Sequence, residues 1–380
     1  MQLRSTIIGN ISEVCSENWD ALAGTGQPFL GHAFLDALER HDCVGERWGW
    51  LPRHLLLHDG ERLVAAMPQY LKTNSYGELV FDWDWAEAYR RSGLAYYPKL
   101  VVGVPYTPAT GARLLIAPDV DREATARALI EAAITHAKEL GVSSLHWLFP
   151  ERRDRDVLAA QGLLIRTSCQ FHWHNRGYRD FDHYLQHFTS AKRKNIRRER
   201  RRVKESGIAL RQLYGEQLST AQWQTVHRHY ASTFARLGGY ATLSLAFFRD
   251  ISLRQPGQVV IFLAERDGHP VASAICLRDK HSLYGRHWGC DEHFDNLHFE
   301  LCYYQGLDYC IRHGLQRFDP GAQGEHKISR GFLPTATWSA HWIAHPEFHS
   351  TIADFLQRET RAMQDYIETL GEHTPFKRNY

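Results

Sequence analysis

Residues 282–334 read SLYGRHWGCDEHFDNLHFELCYYQGLDYCIRHGLQRFDPGAQGEHKISRGFLP, and the order of elements in that stretch decides the fold class. An apolar strand gives way to a polar loop, a helix from about Leu297 to His313, a short strand and a glycine-rich loop. Gly314 ends the helix, because glycine takes the left-handed conformation of a helix C-terminus without steric cost. At 100° per residue, Leu297, Phe299, Leu301, Cys302, Tyr303, Tyr304, Leu307, Tyr309, Cys310 and Ile311 cover most of its circumference. His298, Gln305, Asp308 and Arg312 form the polar stripe. A helix apolar on so many sides is largely buried. Glu300 falls among the apolar residues of its first turn. A carboxylate there is raised in pKa by desolvation, or held ionised by the helix N-terminus and a basic partner. Either condition suits a general base; a structural ion pair is the alternative.

After the helix, Leu315–Phe318 reads as a strand running into Asp319-Pro320-Gly321-Ala322-Gln323-Gly324, followed at once by Glu325, His326, Lys327 and Arg330. Proline and glycine stop the strand and free backbone N–H groups. A loop at a strand end that carries acid, imidazole, ammonium and guanidinium groups is where such scaffolds place chemistry. An ordinary solvated loop is the bland alternative.

Upstream, Val259–Glu265, Pro270–Arg278 and Ser282–Trp288 read as a strand meander with Asp267-Gly268 as its first turn. Two helices precede it in 216–253, split by Leu237-Gly238-Gly239-Tyr240. Strands, helix, strand is an α+β order. Further back, 182–205 reads as one basic helix. Leu185, Ile196 and Val203 make a thin apolar seam, and nine Lys and Arg residues crowd 192–204 against Glu199 alone. Such a face attracts polyanions: CoA phosphates, a nucleotide diphosphate, tRNA or an anionic membrane surface. A solvated face with internal salt bridges is the alternative. Without interleaved aromatics it does not support single-strand stacking.

The first half repeats the theme. A short helix falls in 28–41. Strands are expected at Arg53–Leu57, Leu63–Tyr70 and Leu79–Phe81, with Asp59-Gly60 as a hairpin turn. Phe81-Asp82-Trp83-Asp84-Trp85, read as a strand, puts both Asp on one face and both Trp on the other. Aromatics beside acids can hold a cationic amine; an edge segment with its Trp packed inward is the alternative. Residues 96–113 form a strand or two broken by Pro and Gly, a candidate pocket wall. The helix over 119–140 ends at Gly141 before the strand Val142–Phe149. Helix, glycine, strand therefore occurs twice, which indicates two similar halves meeting near residue 180.

The 380 residues suit two domains. A net charge of +2 makes any basic patch local. Seven Cys without a C-x-x-C read as reduced, buried thiols of a cytoplasmic protein. The opening MQLRSTIIGNISEV lacks a long apolar core, so no secretory signal is expected, and no run approaches a membrane span. Among the 23 His, His341, His345 and His349 have the best spacing. On a strand, four residues cover roughly 13 Å, too far for one ion, so no metal is expected.

Taken together, Phe81-Asp82-Trp83-Asp84-Trp85, Tyr97-Pro98-Lys99-Leu100, Thr107-Pro108-Ala109-Thr110-Gly111, Leu297-His298-Phe299-Glu300 and Asp319–Lys327 resemble the FemAB-like branch of the GNAT acyltransferase superfamily. That branch holds bacterial proteins described as peptidoglycan biosynthesis/recognition or N-acyltransferase. The likeness covers nearly the whole chain. The more distant Fem aminoacyl-tRNA ligases are similar in a basic segment like Lys192–Ile208, and in a pattern matched by Asp319, Gly321, Lys327, Gly331 and Phe332. Their coiled-coil arm is not evident here. The acetyl-CoA loop of ordinary GNAT enzymes, Q/R-x-x-G-x-G/A, is approached only by Arg286–Asp291.

The resemblance implies two tandem GNAT-like domains, 1–180 and 181–380, with the active cleft between them or in the second. It implies transfer of an acyl or aminoacyl group to an amine, with acyl-CoA or aminoacyl-tRNA as co-substrate and no tightly bound cofactor. In the Fem ligases the matching lysine lies at the acyl-transfer site, which implies a similar place for Lys327. On this reading Glu300 or His326 takes the proton, Lys327 with the N–H groups around Gly321–Gly324 meets the oxyanion or a substrate phosphate, and Asp319 is a further catalytic candidate. Asp82, Trp83, Asp84, Arg286, His298, Gly321, Gln323 and Arg330 contact substrate; Lys192, Arg193, Arg197, Arg198 and Arg201 hold donor phosphates. A cell-wall precursor or small molecule is the acceptor. The alternatives are a Fem-type tRNA-dependent ligase, a non-catalytic module binding a peptidoglycan precursor or anionic lipid, and nucleic-acid binding through 192–204.

Overall fold

The computed structural model describes residues 3–24, 26–322 and 324–377. They fall into two compact units, one drawn from Met1–Cys169 and Ala336–Tyr366, the other from Gln170–Thr335 and Ile367–Tyr380. The sequence reading set one boundary at 180; these units divide at 169/170, 335/336 and 366/367.

The first unit carries an antiparallel sheet in the order Leu3–Ile8, His54–Asp59, Arg62–Met67, Leu115–Ile116. Gly60 (φ 60°) turns the expected hairpin. A second set of strands runs from Ser339–Ile343 through Ser144–Leu148, Lys99–Val102 and Gln69–Lys72 to Trp50–Pro52. The helix Arg122–Glu139 begins where Asp121 accepts hydrogen bonds from the Glu123 and Ala124 N–H groups. Its Ala126, Leu129, Ile130, Ala133 and Ala137 pack with Leu57, Leu145 and Trp147 into the core.

Two expectations for this unit fail. Leu79–Phe81 is not a strand, and Trp83–Arg91 is a helix. Trp85 and Tyr89, four apart, share its buried side. The two Asp therefore do not share a face: Asp82 is buried and Asp84 exposed. The thiols are not all buried either, since Cys15 is exposed.

In the second unit, Val259–Arg266, His269–Arg278 and Ser282–Cys290 form the expected antiparallel meander, and Ile208–Tyr214, not marked as a strand in the sequence reading, pairs with its first strand. Asp267 (φ 52°) and Gly268 (φ 77°) supply its tight turn. Arg317–Asp319 then joins Ser282–Cys290 in parallel, and Trp173–His174 pairs antiparallel with Arg317–Phe318. The basic segment is two helices, Phe181–Gln186 and Ser190–Glu205, not one. The break has a partner: the His187 carbonyl accepts from Lys377 N–H, and Thr189 N–H donates to the Pro375 carbonyl. The seam residues Leu185, Ile196 and Val203 are buried as expected. The helix expected over 297–313 is also interrupted, with a π-turn at Glu300–Tyr304 between Leu297–Phe299 and Gln305–Arg312.

Candidate active site

The second unit's sheet opens where two local irregularities meet. Between His269–Arg278 and Ser282–Cys290 the register jumps: Ile275 faces His287, but Cys276 faces Gly285. Arg286 is the extra residue of a β-bulge, a device that re-aims a side chain. On the other side of the bulged strand, pairing with Arg317–Asp319 stops at Tyr284 and Asp319. A wedge-shaped cavity of about 110 Å³ lies here, walled by Gly285, Arg286, Trp288, His298, Cys302, Tyr303 and Pro320. Two glycines make the geometry feasible. A Cβ on Gly289 would lie 1.7 Å from the His229 carbonyl oxygen, and one on Gly285 would lie 3.2 Å from Pro320 Cα.

The π-turn brings the other wall. His298 sits 4.8 Å from the Trp288 ring and 5.4 Å from Tyr303. Burial, reinforced by His326, Arg330 and Lys327, pulls its pKa to about 4, so it is a neutral imidazole. The Tyr303 hydroxyl is hydrogen-bonded to His326 Nε2 at 2.8 Å. His326 is exposed, yet partial desolvation and then Arg330 and Lys327 lower its pKa as well. Burial pulls Arg286 to about 10, against the carboxylate of Asp319, which leaves it charged at neutral pH.

Behind the wedge, Lys327 is buried and donates from Nζ to the Gly321 carbonyl at 2.6 Å. Burial lowers its pKa to about 8, against Asp319 and Cys302. Asp319 accepts from Gly321 N–H at 3.0 Å and lies 3.7 Å from His172 Nε2. Burial holds that imidazole at about 4.

Glu300 is buried on the opposite side of the turn. Arg200 Nε meets its two oxygens at 3.2 and 3.3 Å, and Gln305 Nε2 donates to it at 2.7 Å. Burial raises its pKa, and Arg200 opposes the rise. Arg330 is engaged too. Its Nη2 holds both Glu199 oxygens, at 3.1 and 3.0 Å, and its guanidinium lies 3.6 Å over the Phe299 ring. Tyr304 and Asn195 complete the Glu199 shell.

The structure thus brings Arg286 and His298 to one cavity, with His326, Lys327, Asp319 and Gly321 around it. Gln323 lies outside the described residues. Asp82, Trp83 and Asp84 belong to the first unit. Lys192, Arg193, Arg197, Arg198 and Arg201 lie on Ser190–Glu205. Arg197 pairs with Asp182 at 2.8 Å, Arg201 with Glu205 at 3.5 Å, and Arg198 donates to Asn195. Lys192, Lys194, Arg202 and Lys204 are exposed with no ion-pair partner among the described residues. Sequence reasoning missed Tyr303 and Glu199 as functional or organising groups. Tyr303 sits among apolar neighbours, and Glu199 reads as one acid in a basic run. No described group of three or more His, Cys, Asp or Glu is placed to hold a metal ion. No described helix is long and apolar enough to cross a membrane.

The fold is shared with solved structures at low identity. FemX matches with a TM-score of 0.56 at 12% identity, covering 93% of this chain and 100% of that one. The C-terminal domain (DUF2156) of a putative lysylphosphatidylglycerol synthetase from Agrobacterium fabrum matches with 0.54 at 9%, covering 90% and 96%. A tandem GNAT protein from the clavulanic acid biosynthesis pathway matches with 0.49 at 14%, covering 91% and 99%. The expected α+β class, mixed sheets flanked by helices, is the one these folds share. No curated protein matches. The model of the FemAB-like family, described as peptidoglycan biosynthesis/recognition, matches residues 10–378, and the chain belongs to that family.

Proposed function

We propose that the protein is an N-acyltransferase that moves an acyl or aminoacyl group from a phosphate-bearing thioester or ester donor to an amine. Family membership supports a transferase acting in cell-wall synthesis. The observation that carries the reaction is the wedge at the Arg286 bulge, where a cation, the neutral imidazole of His298 and the phenol of Tyr303 line one cavity and His326 is hydrogen-bonded to that phenol. An attacking amine must first lose a proton, and the carbonyl oxygen must be stabilised as it gains charge. His326, neutral at pH 7 and backed by Tyr303, is the proton acceptor. Arg286 and the buried ammonium of Lys327 supply positive charge beside the wedge. The tetrahedral intermediate then collapses, expelling the donor's thiol or alcohol, and the proton held on His326 neutralises that group.

Acyl-CoA is the first reading of the donor. Aminoacyl-tRNA is the second, favoured by the basic face of Ser190–Glu205, which is roughly 24 Å long at 1.5 Å per residue. Thermal unfolding against acetyl-CoA, longer acyl-CoAs, a UDP-linked muropeptide and aminoacyl-tRNA separates them, because a ligand of the folded state raises the midpoint. One donor class should raise it, less so at high salt, and Arg286→Ala should weaken that donor by about tenfold or more. A muropeptide shift alone would favour a binding module; no shift with any of the four would remove the reading.

The pH profile follows from the same groups. The neutral fraction of His326 grows as pH rises through a range below 6.5. The charged fraction of Lys327 falls as pH rises through about 8. Turnover should therefore rise, level and fall, with the descending limb near pH 8. A rate still climbing at pH 9 would contradict the Lys327 assignment.

A further inference from the structure

From Ser75 to Trp83 the usual order of inside and outside is reversed except at Val80, which is buried. Ser75, Glu78 and Asp82 are buried, while Tyr76, Leu79, Phe81 and Trp83 are 68%, 37%, 55% and 44% exposed. Lys99 explains the buried polar side. Its ammonium donates to Glu78 Oε2 at 2.8 Å, to Ser75 Oγ at 2.9 Å, and to Asp82 Oδ2. Tyr96 donates to the same Asp82 oxygen at 2.6 Å. Each carboxylate has one oxygen left over. Glu78 Oε1 and Asp82 Oδ1 are both buried, and neither has a hydrogen-bond partner among the described residues. Buried acceptors of this kind are rare and costly, carboxylates most of all.

The charge balance of the cluster depends on pH. Burial pulls the Lys99 pKa down, but Glu78 and Asp82 outweigh it and keep the ammonium charged. Burial takes Lys72, the next cation, to about 7 and raises Glu78 to about 7. His146 and His341, hydrogen-bonded Nδ1 to Nδ1 at 2.5 Å beside Tyr96, are held neutral by burial and add nothing. As pH rises through about 7, Glu78 ionises while Lys72 loses its proton, so Lys99 is left facing two carboxylates.

We propose that this cluster is a recognition site for a monocationic amine with an apolar body. The ammonium donates to Glu78 Oε1 and Asp82 Oδ1, making charge-assisted hydrogen bonds where none now exist. The apolar body lies under Tyr76 and Trp83, whose rings sit 5.4 Å apart, and under Phe81, whose carbonyl is pinned by Arg166 at 2.5 Å. Aromatic faces beside acids favour a cation over its neutral isostere. Asp84, exposed on the following helix, takes no part. The site is independent of the acyl-transfer reading, because it concerns binding within the first unit and requires no turnover.

Isothermal titration of the full chain with n-hexylamine hydrochloride, against n-hexanol as the uncharged isostere, tests it at pH 7.5. Saturable binding of one hexylamine is expected, with hexanol at least about tenfold weaker. Glu78→Gln should abolish it and Trp83→Ser weaken it about tenfold, while Lys327→Met, in the other unit, leaves it unchanged. Should Glu78→Gln not fold, Trp83→Ser still decides, because that residue is exposed and lies outside the core. Absence of saturable hexylamine binding, hexanol binding as tight as hexylamine, or a Trp83→Ser variant that binds like the parent would each overturn the proposal.

Discussion

Lys327→Met should lower the single-turnover rate of acyl transfer by about a hundredfold or more, the usual effect of removing one group that stabilises an oxyanion. It should leave the protein at least as stable as before. The rate effect follows from where the charge sits. The ammonium is buried against the Gly321 carbonyl at the margin of the wedge, where water cannot screen it as it would on the surface. The stability effect follows from the same burial. Desolvation has already pulled the pKa to about 8, so carrying the charge at pH 7 costs folding free energy, and an apolar side chain of similar volume removes that cost. The variant should also lose the alkaline limb of the pH profile, since that limb belongs to Lys327. A rate within about threefold of the parent, measured with the donor that gives the thermal shift, would show that Lys327 only ties down its loop.

Glu199→Leu should destabilise the second unit by about 3–5 kcal/mol, the cost of leaving one partner of a buried ion pair alone. Arg330 is buried with both Glu199 oxygens on one terminal nitrogen, and it has no other carboxylate within 4.0 Å among the described residues. Tyr304 and Asn195 would lose their acceptor as well. Pairing the change with Arg330→Met should recover most of the loss, because an apolar pair of similar volume is tolerated where a lone guanidinium is not. Urea unfolding of the two single variants and the double closes the cycle. A loss below about 1 kcal/mol in Glu199→Leu would show the pair to be solvated and interchangeable. The same result explains why Arg330, placed with the substrate contacts from sequence, stands apart from the wedge: its hydrogen bonds and its ring contact are internal.

The fold class was legible because it rests on period and punctuation. The meander from Val259 to Trp288, the turn at Asp267-Gly268, the helix ended by Gly141 and the strand before Asp319 each depend on a few neighbouring residues. Interactions between distant residues were not legible. Lys99 lies seventeen positions from Asp82, and it is Lys99 that draws Asp82 inward and leaves Trp83 outside. Within Phe81–Trp85 the alternation imitates a strand, whereas Trp85 and Tyr89 carry the helical spacing one step further on. The break at His187–Thr189 could not be read from 182–205, because its partners are Pro375 and Lys377. For the candidate site, the loop composition pointed to Asp319, His326 and Lys327. The bulge that aims Arg286 leaves no mark in composition, since any residue can be the surplus one.

The π-turn at Glu300–Tyr304 carries a consequence for how this region tolerates changes in length. Such a turn is one residue more than an α-helix needs. Here it lets Gln305 reach Glu300 five positions away, a separation that ordinary helical spacing does not bring together. Loss of a single codon between 300 and 304 would restore an unbroken ladder of hydrogen bonds, and a helix of ordinary propensity. It would also swing everything upstream by about 100°, carrying His298 off the wall it shares with Trp288 and Tyr303. The arrangement is therefore encoded partly as a count of residues, and a frame-preserving deletion there would do more damage than most substitutions.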